Sequence, residues 1–160
     1  MSLQLGPSWL RRSQAAVRQP SGRRQRILRA MQAVYHRAPD GSEPVKQFFD
    51  RLSAPRQVVL SNQIGLLNLL GPSDPPLAFP HSSQIDGELR ELRCHYGREL
   101  YRILYHRSHN LFVLLHIIEK RSGHVPRGDI EIARTRMGDF ATRVNAAARR
   151  PPRAAGRDAP

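Results

Sequence analysis

Hydrophobic and polar positions form their densest pattern between Ile85 and Arg121, IDGELRELRCHYGRELYRILYHRSHNLFVLLHIIEKR. Glu88–Cys94 and Glu99–His106 mix apolar and charged residues with partial two-residue alternation, as strands with one buried face do. Leu111–Ile118 is apolar throughout except for His116, the pattern of a strand covered on both faces. It is predicted as the central strand of a three-strand meander. Gly97 falls in the first turn and Ser108–His109–Asn110 in the second.

Upstream, Met31–His36 alternates and predicts a strand ended by Asp40–Gly41. Ser42, Glu43 and Pro44 then make a helix start: a hydroxyl cap, an acid in the first turn, and a proline where a missing N–H does no harm. Val45, Phe48, Phe49 and Leu52 follow at helical spacing. Ser53–Ala54–Pro55 repeats the start chemistry, and Val58, Val59, Ile64, Leu66, Leu67, Leu69 and Leu70 mark a second helix that stops at Gly71–Pro72. These two helices are expected to form a hairpin over one face of the sheet. Ser73–Ser83, with three prolines, reads as a loop. After the meander, the turn Ser122–Pro126 leads into a last helix with Ile130, Ile132, Ala133, Met137, Phe140 and Val144 as its apolar positions. The order strand, helix, helix, strand, strand, strand, helix predicts an α+β fold with a small, mostly antiparallel sheet.

Charge changes this picture in two ways. The formal net charge is +13 over 160 residues, but residues 1–30 hold seven arginines and no acid, and residues 148–160 hold a net +3. Only +3 is left for the residues between. The chain therefore divides into a basic segment 1–30, a folded domain 31–147 and a basic tail 148–160 expected to be disordered. Segment 1–30 reads either as a disordered basic arm or as an extension upstream of a start at Met31. Within the domain, Arg90, Arg93, Arg102, Lys120 and Arg121 all lie in or beside the predicted strands. Arginine in a strand is costly to bury unless it meets water or an anion, so these residues outline a face suited to phosphate.

Other chemistry is scarce. The single cysteine, Cys94, forms no internal disulfide and fits a reducing, cytoplasmic compartment. Cys94–His95, His106, His109 and His116 match no closed tetrahedral metal set, and no metal or other cofactor is expected. No apolar run approaches the about 20 residues of a membrane-spanning helix. Phosphate-loop, nucleophile-elbow and dinucleotide motifs are absent.

The element order and several ordered motifs resemble the RelE/HigB superfamily of toxin–antitoxin ribonucleases, especially its phage-derived HigB-like branch. The matching pieces are Pro44–Val45–Lys46–Gln47–Phe48, Asp86–Gly87 followed by Glu91–Leu92–Arg93, and Tyr101–Arg102–Ile103–Leu104–Tyr105. They continue with Leu114–Leu115–His116 running to Lys120–Arg121, then Pro126, and a helix with Ile130, Ala133 and Arg136. The resemblance implies a RelE-like fold and a metal-independent, ribosome-dependent mRNA endoribonuclease. In such an enzyme the RNA 2′-hydroxyl attacks the adjacent phosphate. It also implies three partners: mRNA, the ribosome and an antitoxin, expected to be a helix-turn-helix protein.

On that resemblance, Arg93 stabilises phosphate charge, and Lys120 and Arg121 clamp phosphate or the leaving group. An arginine serves electrostatically, since its pKa lies above ~12. Relatives often carry Gly-Phe before the basic pair and a tyrosine soon after it. Here Ile117–Ile118–Glu119 precedes it, and no tyrosine follows Tyr105. His124 is then the nearest proton-exchanging group, with His81 a second. Arg90, Arg102 and His81 are expected RNA contacts.

Each residue also has a plainer reading. Arg93 pairs with Glu91 or Glu88, and Arg102 braces the fold through a carboxylate such as Glu91. Lys120 and Arg121 form a solvated strand end, and the two histidines are merely exposed. Tyr101 and Tyr105 read as packing residues. The alternative function is a catalytically inactive RNA- or ribosome-binding module of the same fold.

Overall fold

The computed structural model describes residues 31–120, 123–145, 151–157 and 159. The expectations for segment 1–30 and for Arg121 lie outside these residues.

Five strands and three helices follow in the order β1 (Gln32–Tyr35), α1 (Pro44–Asp50), α2 (Ala54–Asn68), β2 (Ser82–Asp86), β3 (Leu89–Tyr96), β4 (Glu99–Ser108), β5 (Leu111–Glu119) and α3 (Arg127–Asn145). The sheet order is β1-β5-β4-β3-β2, antiparallel throughout except for the parallel β1–β5 pair. The α+β class and the mostly antiparallel sheet are as the pattern predicts. The central strand is β4, however, with β5 between it and β1.

Pleating divides the side chains into two cores. Under α1 and α2 lie Ala33, Tyr35, Leu92, Cys94, Tyr101, Ile103, Tyr105, Phe112 and Leu114, packed with Leu60, Ile64 and Leu67 of α2. Under α3 lie Val34, Leu89, Leu104, Val113 and Leu115, packed with Ala133 and Phe140. Each fully buried aliphatic side chain contributes about 1.5–3 kcal/mol relative to exposure. The continuous apolar run of β5 is explained by this two-sided cover. Tyr101 and Tyr105 are 2 % and 1 % exposed, and their hydroxyls meet Glu99 and Ser82. They are core residues.

Three features differ from the sequence pattern. β2 is not predicted: the pattern ends the proline-rich loop at Ser83, inside this strand, and reads no strand before Glu88. The strand nonetheless pairs with β3 and ion-pairs through Asp86 with Arg134 of α3. Second, residues 151–157 are not a free tail. Ala155 is 2 % exposed, Tyr35 N donates to Arg153 O at 2.9 Å, and Ala155 N donates to Ala33 O at 2.8 Å. This short segment covers the edge of β1, where unpaired backbone would otherwise be open. Third, β5 has a bulge: Leu104 pairs with His116 but Tyr105 pairs with Leu114. The extra residue lets Leu115 and His116 both serve the α3 side, where His116 Nε2 lies 2.7 Å from Asp129 Oδ1 and its Nδ1 lies 3.1 Å from Arg136 Nη1.

Candidate active site

The site is set by the register of one hairpin. Gly97–Arg98 is a two-residue turn between the paired Tyr96 and Glu99, with Gly97 at φ 56, the left-handed backbone such turns use. Counting back along both strands, Arg93 lies directly opposite Arg102, and Glu91 opposite Leu104. Leu92 and Cys94 enter the α1/α2 core, so alternation turns Glu91, Arg93 and Arg102 to the α3 side.

There Glu91 is the hub. Its side chain is 4 % exposed, against 19 % for Arg93 and 6 % for Arg102. Glu91 Oε1 accepts from Ser83 Oγ at 2.8 Å and from Arg93 Nη1 at 3.2 Å. Glu91 Oε2 lies 3.5 Å from Arg102 Nε. That is an ion-pair distance without hydrogen-bond geometry, and both of these atoms have no hydrogen-bond partner. Arg93 Nε is likewise buried and unpartnered. Two guanidinium groups thus share one carboxylate, leaving one positive charge in excess and two donors unused.

The end of β5 adds a third cation. Lys120 N donates to Leu100 O at 2.9 Å, and its exposed side chain runs beside Gly123: Lys120 Cε is 4.0 Å from where a Gly123 side chain would begin. Gly123 sits at φ 78, a conformation that favours glycine. Its carbonyl accepts from Arg102 Nη1 at 2.8 Å. His124 is exposed immediately after it. The buried Arg102 therefore joins the Glu91 hub to the turn bearing His124 and to Lys120.

The remaining candidates separate from this cluster. Arg90 lies on the other face of β3 and donates from Nη2 to Leu77 O at 3.0 Å. His81 is exposed, with its Nδ1 3.0 Å from Gln63 Nε2 of α2. Only its backbone joins the site, by accepting from Arg93 N at 2.8 Å. Glu119 pairs with Tyr101 in the β4–β5 register. It therefore shares Tyr101's side of the sheet rather than that of Arg102.

Residues 47–138 match a family model described as phage derived protein Gp49-like (DUF891). The chain belongs to this family. The Gp49-like family is related to the toxins of toxin–antitoxin systems. No curated protein matches the chain. The Gp49-like region runs from α1 into α3 and contains Glu91, Arg93, Arg102, Lys120, Gly123 and His124, whereas β1 and residues 151–157 lie outside it. Among the described residues, no helix is long and apolar enough to cross a membrane.

Sequence reasoning missed three contributors. The sequence pattern places Ser83 in a loop. Gly123 acts through a backbone carbonyl, which leaves no side-chain signature. Phe79 lies in the proline-rich loop, with its ring centroid 5.5 Å from Arg93 Cζ. The one available signal was an aromatic between Ala78 and Pro80 in a proline-rich stretch.

Proposed function

We propose that this Gp49-like protein is the toxin of a type II toxin–antitoxin pair of RelE/HigB kind and acts as a ribosome-dependent mRNA endoribonuclease. The observation that carries this reading is the surplus of cations at one buried carboxylate: Arg93 and Arg102 share Glu91, and Lys120 runs beside the Gly123 turn that Arg102 holds. Such preorganised charge suits the extra negative charge of a phosphorane, which forms when a 2′-oxygen adds to the neighbouring phosphorus. The new 2′-O–P bond replaces the P–O5′ bond, leaving a 2′,3′-cyclic phosphate and a free 5′-hydroxyl.

Arg93, the more accessible arginine, contacts the phosphate. Arg102, almost wholly buried, positions Glu91 and the Gly123 turn. Lys120, together with Arg121, neutralises the leaving oxygen, and His124 exchanges the proton. The 2′-hydroxyl supplies the nucleophile, so the chain's residues bind, orient and neutralise. An antitoxin is the natural partner, and a helix-turn-helix protein would serve.

The test is to incubate the protein with mRNA in the presence and absence of translating ribosomes and to map the RNA ends. Ribosome-dependent cuts with cyclic phosphate ends support the reading. Binding to RNA or ribosomes with intact mRNA supports the alternative, an inactive binding module. The absence of tyrosine near the site favours that second reading.

A further inference from the structure

Phe79 is 72 % exposed, yet the turn that carries it is anchored on every side. Ala78 O accepts from His81 N at 3.0 Å and from Ser82 N at 3.1 Å, and His81 O accepts from Arg93 N at 2.8 Å. Arg90 reaches Leu77 O from the far face of β3, and Asp74 Oδ2 accepts from Gly71 N at 2.7 Å. The backbone that carries the ring is therefore held in place, and the ring lies beside Arg93 with most of its surface facing solvent. A lone exposed apolar residue needs no explanation. An exposed aromatic ring on an anchored turn, next to a partly exposed guanidinium, is a more specific arrangement.

We propose that Phe79 and Arg93 together form a stacking platform for one unpaired RNA base next to the phosphate that Arg93 holds. Single-stranded nucleic acid is bound by this combination of a cation on the backbone and an aromatic face under the base. The ring accepts any base, because every base has a π-face. A paired base stays inside its helical stack, so the ligand is single-stranded RNA. The inference deepens the proposed function by adding a base subsite, and it rests on that reading for the choice of RNA and for the phosphate at Arg93.

A short single-stranded RNA carrying 2-aminopurine tests it, with the full chain and no cleavage required. Wild-type protein is expected to quench the fluorescence by stacking. Phe79→Ala should weaken binding roughly 5- to 150-fold and remove the quenching, and Phe79→Tyr should restore both. The salt dependence should be unchanged in Phe79→Ala but shallower in Arg93→Ala, since only the latter loses a phosphate contact. Phe79→Ala binding like the wild type, restoration by Phe79→Leu, or no quenching by the wild type overturns the platform. The nuclease reading fails separately, on intact mRNA with ribosomes present.

Discussion

Arg93 and Arg102 face each other across β3 and β4, and the carboxylate of Glu91 lies 3.2 Å from one guanidinium and 3.5 Å from the other. Like charges directly opposite in a sheet repel, and Glu91, within ion-pair distance of both, offsets that repulsion. The same carboxylate offsets only one of the two guanidinium charges.

Removing Glu91 should therefore damage the fold before it damages the chemistry. Glu91→Ala leaves Arg102 buried without its charge partner, a loss of about 3–5 kcal/mol. Urea unfolding checks this. A variant within about 1 kcal/mol of the wild type would show that the pair is not held as described.

Acid should weaken the α3 side. His36 is fully buried at the end of β1, neither ring nitrogen has a hydrogen-bond partner, and its pKa is lowered from 6.5 to about 4. Burial is the main cause, followed by Arg143 and Arg136 of α3; Asp139 opposes them and His106 adds to them. Because the folded pKa lies below the unfolded one, the unfolded chain takes up the proton first. Stability contributed by neutral His36 is then full above pH 6.5 and falls between pH 6.5 and 4. By linkage the loss is about 2 kcal/mol at pH 5. The buried His106, whose pKa is also lowered chiefly by desolvation, acts in the same direction. Comparing urea midpoints of the wild type and His36→Phe at pH 7.5 and pH 5 should show a smaller drop in the variant; equal drops would remove His36 from the account.

The segment after residue 150 should matter for stability although the sequence reads it as a tail. Gly156 has φ 98, and a side chain there would begin 2.7 Å from Asn68 Nδ2 and 3.2 Å from Gly65 N. Asn68 Nδ2 also holds Ala155 O at 2.9 Å. Gly156→Ala should cost about 1–3 kcal/mol, read as a lower melting temperature. An unchanged melting curve would mean that the segment does not bind β1 in solution.

The two histidines should differ. If His124 exchanges the proton as proposed, His124→Ala is expected to slow cleavage about a hundredfold or more. His81→Ala, whose ring is tied to Gln63 on the α2 side, should change cleavage by less than about threefold, within the range of modest surface effects. Single-turnover cleavage rates measure both, and the reverse order would move the proton transfer to His81.

Much of this was legible in the sequence, for physical reasons that can be named. The apolar run Leu111–Ile118 announced a strand covered twice, and Pro44 and Pro55 announced two helix starts. The facing of Arg93 and Arg102 follows from a two-residue turn at Gly97–Arg98 once that turn is assumed. Arg90 and Arg93, three positions apart in one strand, had to fall on opposite faces, so parity already separated them. β2 was not legible, because an edge strand with Gln84 and Asp86 exposed needs no apolar alternation. The docking of Ala155 was not legible either: it depends on a backbone edge and on Asn68, both distant in sequence. Phe79 gave little sign, because its position beside Arg93 is set by hydrogen bonds of the turn backbone.

The proposed function requires that Arg93, the accessible member of the Glu91-held arginine pair, contacts the reacting phosphate. The decisive measurement is the rate of mRNA cleavage in a reconstituted translation reaction for the wild type, Arg93→Ala and Arg157→Ala. The last is an equal charge loss at an exposed arginine that touches Asn62 of α2. The account predicts ribosome-dependent cuts ending in 2′,3′-cyclic phosphate, slowed about a hundredfold or more in Arg93→Ala and unchanged in Arg157→Ala. Cleavage that survives Arg93→Ala, or falls equally in both variants, would contradict it.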